Sequence, residues 1–260
     1  PVRGDHHRVT CLDVRGPPTA PGPGATSGAR RPRLSPPGPC SDTVAVMAES
    51  APSAWPDGVS VVMPVLNEER HLTHAVTGIL TQDWAGPLEI ILALGPSSDR
   101  TDEVARRLSA VDDRIVLLPN PSGRTPSGLN AAIHAARYEV VVRVDGHAIL
   151  PQDYVSTAVA TLRRTGADNV GGVMAAEGET PFEQAVARAM ATPLGATATP
   201  LPVSGEEGAA ESVYLGCFRR SALTSVGGYD ETLLRAQDWE INHRIRATGG
   251  RVWFNPRLRV

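Results

Sequence analysis

Long apolar runs are missing from this sequence. No stretch reaches the roughly 18 consecutive apolar residues that a membrane-spanning helix needs, and no charged-then-apolar leader stands at its front. Neither a membrane span nor a secretory signal is expected. The expected compartment is the cytoplasm, up to the inner face of the cell membrane, with any membrane contact peripheral or made outside this chain. Basic character is scarce too: 25 Lys and Arg against 28 Asp and Glu give a net charge of −3, whereas a nucleic-acid binder shows a basic stripe and a pI above about 9. No nucleic-acid partner is expected. Of the three cysteines, Cys11, Cys40 and Cys217, only the last falls in the part that reads as folded, so no disulfide framework can be drawn. Internal repeats are lacking as well.

What is present is enough chain for one large α/β domain and a tail. Residues 1–46 are crowded with Pro, Gly and Arg, as in Arg15-Gly16-Pro17-Pro18, and cannot bury enough surface to offset their ordering entropy. Residues 1–57 are therefore read as a disordered tail and linker, and 58–260 as one domain. Pro1 is not an initiator and Met47 precedes the linker, so translation is expected to begin at Met47. After the last strand the chain ends at Val260 without a capping helix, which reads as a C-terminal truncation.

From Val59 the pattern alternates between strands and helices and predicts a mostly parallel sheet flanked by helices. Strands are expected at 59–65, 88–94, 114–118, 140–144, 169–174, 212–218 and 252–254. Helices are expected from Leu72, after Asp99 as a cap, from Thr125 as N-cap with Pro126 at the first helical position, over 151–165 and over 237–248. Residues 191–210, rich in Ala, Gly, Thr and Pro, read as a mobile loop.

Four segments carry candidate chemistry. Val140-Val141-Val142-Arg143-Val144-Asp145-Gly146-His147 is an apolar strand ending in a carboxylate and an imidazole two residues apart, which extended chain points to the same side, where both can face one ion. An ordinary polar turn accounts for the same residues. Gln237-Asp238-Trp239-Glu240 opens an amphipathic helix, where the dipole keeps a carboxylate ionised as a proton acceptor must be; a plain acidic preference for helix starts explains it too. Trp239, Ile241 and Ile245 read as core. Pro64-Val65-Leu66-Asn67-Glu68-Glu69 follows the first strand, where a nucleotide would meet the sheet edge, and also reads as a capped helix start. Asn120 to Asn130 is a Gly/Pro-rich loop running into a helix whose amides, with Arg124, can hold a diphosphate, although it matches neither common Gly-rich phosphate fingerprint.

In order and spacing these segments, with Gly216-Cys217-Phe218-Arg219, Val226-Gly227-Gly228-Tyr229-Asp230-Glu231 and Gly249-Gly250-Arg251-Val252-Trp253-Phe254, resemble the family 2 glycosyltransferases of GT-A fold, in their bacterial exopolysaccharide, succinoglycan-type branch. The resemblance implies an inverting, metal-dependent enzyme that moves a sugar from a nucleotide diphosphate, UDP-sugar first, to a glycan or lipid-linked acceptor. It implies Asp238 as catalytic base. It implies Asp145 and His147 as metal ligands, with Mn²⁺ favoured over Mg²⁺ because imidazole suits the softer ion. The donor site it implies comprises Pro64, Asn67, Glu68, Asp99, Arg124, Asn130 and Asp145. One departure stands out: Leu94 and Gly95 occupy places where the family carries carboxylates that contact the base.

Two other classes compete with this reading. A sugar-phosphate nucleotidyltransferase can use a related sheet, a metal carboxylate and a phosphate loop, but lacks a use for the Asp238 helix start. A non-catalytic scaffold of polysaccharide assembly would fit the missing carboxylates.

Overall fold

The protein is described from a computed structural model over residues 58–175, 180–190 and 205–260. Eight strands form one sheet in the order β3-β2-β1-β4-β7-β5-β8-β6. The first half is parallel. In it β1 (Val59–Val65) lies between β2 (Leu88–Leu94) and β4 (Val140–Arg143), with β3 (Ile115–Pro119) outside β2. The second half mixes directions: β7 (Tyr214–Arg219) runs antiparallel to both β4 and β5 (Asn169–Val173), β5 pairs in parallel with β8 (Val252–Arg259), and β6 (Gly208–Ala209) closes the edge.

β1 and β2 are near-continuous apolar runs because both of their faces are covered, as a parallel sheet requires. On one face Val59, Val61, Met63 and Val65 pack with α1 (Leu72–Leu80), α2 (Thr101–Val111) and α4 (Tyr154–Thr165). On the other, Val62, Ile91 and Val141 meet α3 (Thr125–Ala135), α6 (Arg220–Ser225) and α7 (Gln237–Ala247). Leu72, Val76 and Ile79 of α1 are fully buried, each stabilising the fold by about 1.5–3 kcal/mol before entropy is counted.

Several boundaries differ from the sequence-based expectations. Arg124, not Thr125, caps α3, and Thr125 and Pro126 are its first two residues. Asp99 lies one residue ahead of the α2 cap, and its carboxylate still accepts the Thr101 N–H at 3.0 Å. The expected loop at 191–210 lies outside the described residues up to 204, but Gly208 and Ala209 form β6 because they pair with Phe254 and Trp253. β8 continues to Arg259 rather than stopping at Phe254, since Val173 supplies a partner there. α5 (Pro181–Met190) and α6 had no counterpart among the expected helices; α6 has only six residues. The tail expected at 1–57 lies outside the described residues.

Gly172 is where β5 and β8 come closest. A Cβ there would stand 1.9 Å from the Leu258 carbonyl oxygen and 2.7 Å from that of Asn255. Gly172→Ala must push β8 away, at about 3 kcal/mol, the upper end of ordinary overpacking. Thermal denaturation should show a melting temperature lower by roughly 6–12 °C; an unchanged value would mean that β8 is not held against β5 in this register.

Candidate active site

The chain runs outward from β1 to β2 and β3, then returns to place β4 on the other side of β1. Such a reversal leaves a crevice at the carboxyl ends of the two central strands, where open α/β sheets take their ligands. A cavity of about 300 Å³ opens there, walled by Pro64 near the end of β1, Leu66 and Glu68 just after it, Arg143, Asp145 and His147 at the end of β4, and Gln237 at the start of α7. A second, mostly apolar cavity of about 590 Å³ shares His147 and extends past Ile149, Leu150, Met174 and Tyr214.

Arg143 organises the site. It ends β4 opposite Val62 of β1 and is only 6% exposed. Its Nη1 donates to Asp238 Oδ1, and its Nη2 donates to Asp145 Oδ1 at 3.3 Å. The guanidinium is thus forked between two carboxylates from segments 93 residues apart in sequence, a geometry open to arginine and not to lysine. Burial acts to lower its pKa, and the charges of Asp238 and then Asp145 overcome this and hold it raised. The Tyr229 ring lies 5.8 Å from its Cζ.

Asp238 reaches Arg143 because of unusual backbone on two sides. Ala236, the cap of α7, adopts φ +61°, and the helix then starts with Asp238 in its first turn. In β7 the pairing with β5 slips between Cys217 and Tyr214, and the two residues between them, Leu215 and Gly216, have φ +55° and +125°. A buried leucine in the left-handed region costs about 1–3 kcal/mol. The slip re-aims a backbone donor, as bulges do: the Leu215 N–H meets Asp238 Oδ2 at 3.3 Å. Burial raises the Asp238 carboxyl to about 6, against the pull of Arg143 and with help from the like charge of Asp145.

His147 turns its Nδ1 to Glu68 Oε1 at 2.7 Å, and this bond raises the imidazole pKa against the effect of burial. Gly146 makes the contact possible: a Cβ there would lie 2.8 Å from Glu68 Cγ. With Nδ1 engaged by a carboxylate, Nε2 is the ring nitrogen left for a ligand, and a carboxylate on Nδ1 is also what orients histidines that bind metals. Among the described residues no three His, Cys, Asp or Glu side chains group as a metal cage. Asp145 and His147 alone would suit an ion that takes its remaining donors from a ligand.

Of the residues singled out from sequence, Pro64, Glu68, Asp145 and His147 line the smaller cavity, and Asp238 joins them through Arg143. The other four do not line it, because their polar atoms tie loops together. Asn67, at φ +56°, accepts the Ser98 N–H at 2.8 Å. Asp99 accepts the N–H groups of Thr101 and Glu69, and the Thr101 hydroxyl holds its carboxyl below the usual range. Asn130 exchanges two hydrogen bonds with the Tyr229 backbone, each 2.8 Å, and Arg124 Nη1 donates to the Glu231 carbonyl at 3.3 Å. Trp239 is not core: it is 42% exposed and stacks on His243, while Ile241 and Ile245 are buried as expected. The chain is not extended from Asp145 to His147 as expected, because β4 stops at Arg143 and Gly146 and His147 form a turn closed by the Ala148 N–H on the Asp145 carbonyl at 3.0 Å; Arg143 carried no expected role.

The sequence profile of the family described as "Glycosyl transferase family 2" matches residues 60–227. The "Succinoglycan biosynthesis protein ExoA" of Rhizobium meliloti is 30% identical over 199 residues, covering 76% of this chain and 60% of that protein. Among solved structures, S. aureus TarS in complex with UDP superposes with a TM-score of 0.60 at 17% identity, over 76% of this chain and 57% of that one. The mannosyltransferase PcManGT from Pyrobaculum calidifontis, in complex with GDP-Man and Mn²⁺, gives 0.58 at 25% identity, over 80% of this chain and 57% of that one. The chain thus spans less than two thirds of each of these proteins. The shared fold is the GT-A sheet flanked by helices.

Because burial raises Asp238 from the ordinary 3.8 to about 6, the folded chain holds this proton more tightly than the unfolded one. The stability it contributes is complete below about pH 4 and is lost as pH rises through about 6. Asp238→Asn lacks this titration. The melting temperature of the wild type relative to Asp238→Asn should therefore fall between pH 4 and pH 6.5, whereas a constant difference would show that the carboxyl titrates normally.

Proposed function

Since the chain belongs to glycosyl transferase family 2, we propose that it moves a sugar from a nucleotide diphosphate donor to a hydroxyl of a glycan or lipid-linked acceptor, with inversion at the anomeric carbon. The observation that carries this reading is the joining of Asp145 and Asp238 through one buried arginine at the carboxyl end of β4, beside the β1–β4 crevice. Of the relatives named above, one is a succinoglycan biosynthesis protein and one a mannosyltransferase, which favours sugar transfer over nucleotidyl transfer.

In this reading the nucleotide lies along Pro64 to Glu68, and its diphosphate approaches Asp145 and His147 in the smaller cavity. A divalent ion held by Asp145 and His147 Nε2 would neutralise charge on the departing diphosphate. Manganese in the PcManGT complex supports the choice of ion. Asp238 takes the proton of the acceptor hydroxyl as that oxygen bonds to the anomeric carbon and the carbon–diphosphate oxygen bond breaks. A base must be ionised and near its working pH, and a carboxyl brought up to about 6 meets both demands at neutral pH. The acceptor enters by the larger cavity, whose apolar wall of Ile149, Leu150 and Met174 adjoins His147. The relatives complexed with UDP and with GDP-Man leave both uridine and guanosine donors open, and UDP-sugar is our first choice.

General-base help is worth about 10²–10⁴ in rate. Asp238→Asn should lower kcat by that factor in a sugar-transfer or donor-hydrolysis assay, with the donor dissociation constant within a few-fold of wild type; unchanged turnover would remove Asp238 from the reaction. After chelation and refilling, activity with Mn²⁺ should exceed that with Mg²⁺. Equal or higher activity with Mg²⁺ would take His147 out of the metal site.

A further inference from the structure

The proposed reaction gives roles to Asp145 and Asp238 but none to the Arg143 side chain that joins them. A charge inside a central strand is costly to desolvate, and a guanidinium kept only for stability would be expected to have all its donors paired. Here the side chain is 7% exposed, its two terminal nitrogens go to Asp238 and Asp145, and its buried Nε has no hydrogen-bond partner. The group is arranged around the two carboxylates more than around its own satisfaction. Those carboxylates come from different parts of the fold: Asp145 follows β4, and Asp238 opens α7. No hydrogen bond joins them directly among the described residues; Arg143 is the shared partner.

We propose that Arg143 is a positioning residue that yokes the base carboxylate Asp238 to the donor-side carboxylate Asp145, fixing their separation so that acceptor and donor meet in register. This rests on the roles given to Asp145 and Asp238 above. Two consequences follow from the geometry. A single ammonium cannot reproduce the fork, so lysine at this position keeps the charge and loses the spacing. The guanidinium also competes with a cation for Asp145 Oδ1, so its removal strengthens cation binding even as it weakens turnover.

The test compares the wild-type chain with Arg143→Lys and Arg143→Met by kcat, donor KM, melting temperature and titration with Mn²⁺ alone. A misplacement on the order of 1 Å costs about 10²-fold in rate. Arg143→Lys should therefore fold and lose about 10²-fold in kcat with donor KM and Mn²⁺ affinity little changed. Arg143→Met should bind Mn²⁺ several-fold more tightly. Wild-type kcat in Arg143→Lys, or a loss carried entirely by donor KM, would overturn the yoke. So would a fall in Mn²⁺ affinity in Arg143→Met, and an Arg143→Lys chain that fails to fold would assign the fork to stability alone. Should Arg143→Met not fold, Arg143→Lys decides by itself. Absence of any sugar transfer or donor hydrolysis by the wild type would instead defeat the proposed function.

Discussion

One guanidinium shared by two carboxylates is the constraint around which the functional end of this sheet is built. Three charges in a poorly solvated place are tolerable only when each finds its partner, because an unpaired buried charge costs several kcal/mol. Arg143 therefore dictates where Asp145 and Asp238 must stand. Removing Arg143 would strand both carboxylates. The net pairing leaves one negative charge in excess, which is why burial and the like charge of Asp145 can raise the Asp238 carboxyl despite the arginine beside it.

Meeting that constraint takes departures from regular structure. β7 slips against β5 and holds a buried leucine at positive φ, which directs one amide to Asp238. Ala236 turns left-handed to start α7 at the right height. Gly146 admits the Glu68 side chain on its way to His147. Each is a local cost, offset by the two apolar layers that cover the central strands. The loops around the site are tied independently, by the contacts of Asn67 and Asp99 on one side and of Asn130 and Arg124 on the other. The crevice is thus framed before any ligand enters.

Much of this was legible in the residues. The apolar runs at 59–65 and 88–94 and the helical spacing of Leu72, Val76 and Ile79 give the parallel half directly, since period and burial there agree. Asp145, Glu68 and Pro64 could be placed at one edge by their positions at strand ends, but the extended-chain argument for His147 fails: Gly146 and His147 form a turn in which the Ala148 N–H donates to the Asp145 carbonyl at 3.0 Å, and His147 lines the cavity from that turn. Arg143 was not found, because a charge within an apolar strand has no meaning until its long-range partner is known. Asp99, Asn67 and Asn130 illustrate the opposite difficulty: short polar side chains near helix starts serve loops and ligands equally well, and only three-dimensional partners separate the two uses. Trp239 misled for a simpler reason, as helical spacing does not say how far a helix start is covered.

A crystal structure of the chain with manganese and a nucleoside diphosphate, with anomalous scattering used to locate the ion, addresses the central claim most directly. The account predicts manganese within ligand distance of Asp145, the diphosphate over the β1–β4 crevice, and Arg143 still bonded to Asp238. A diphosphate bound away from that crevice, or Asp238 swung clear of Arg143 and of the cleft, would contradict it.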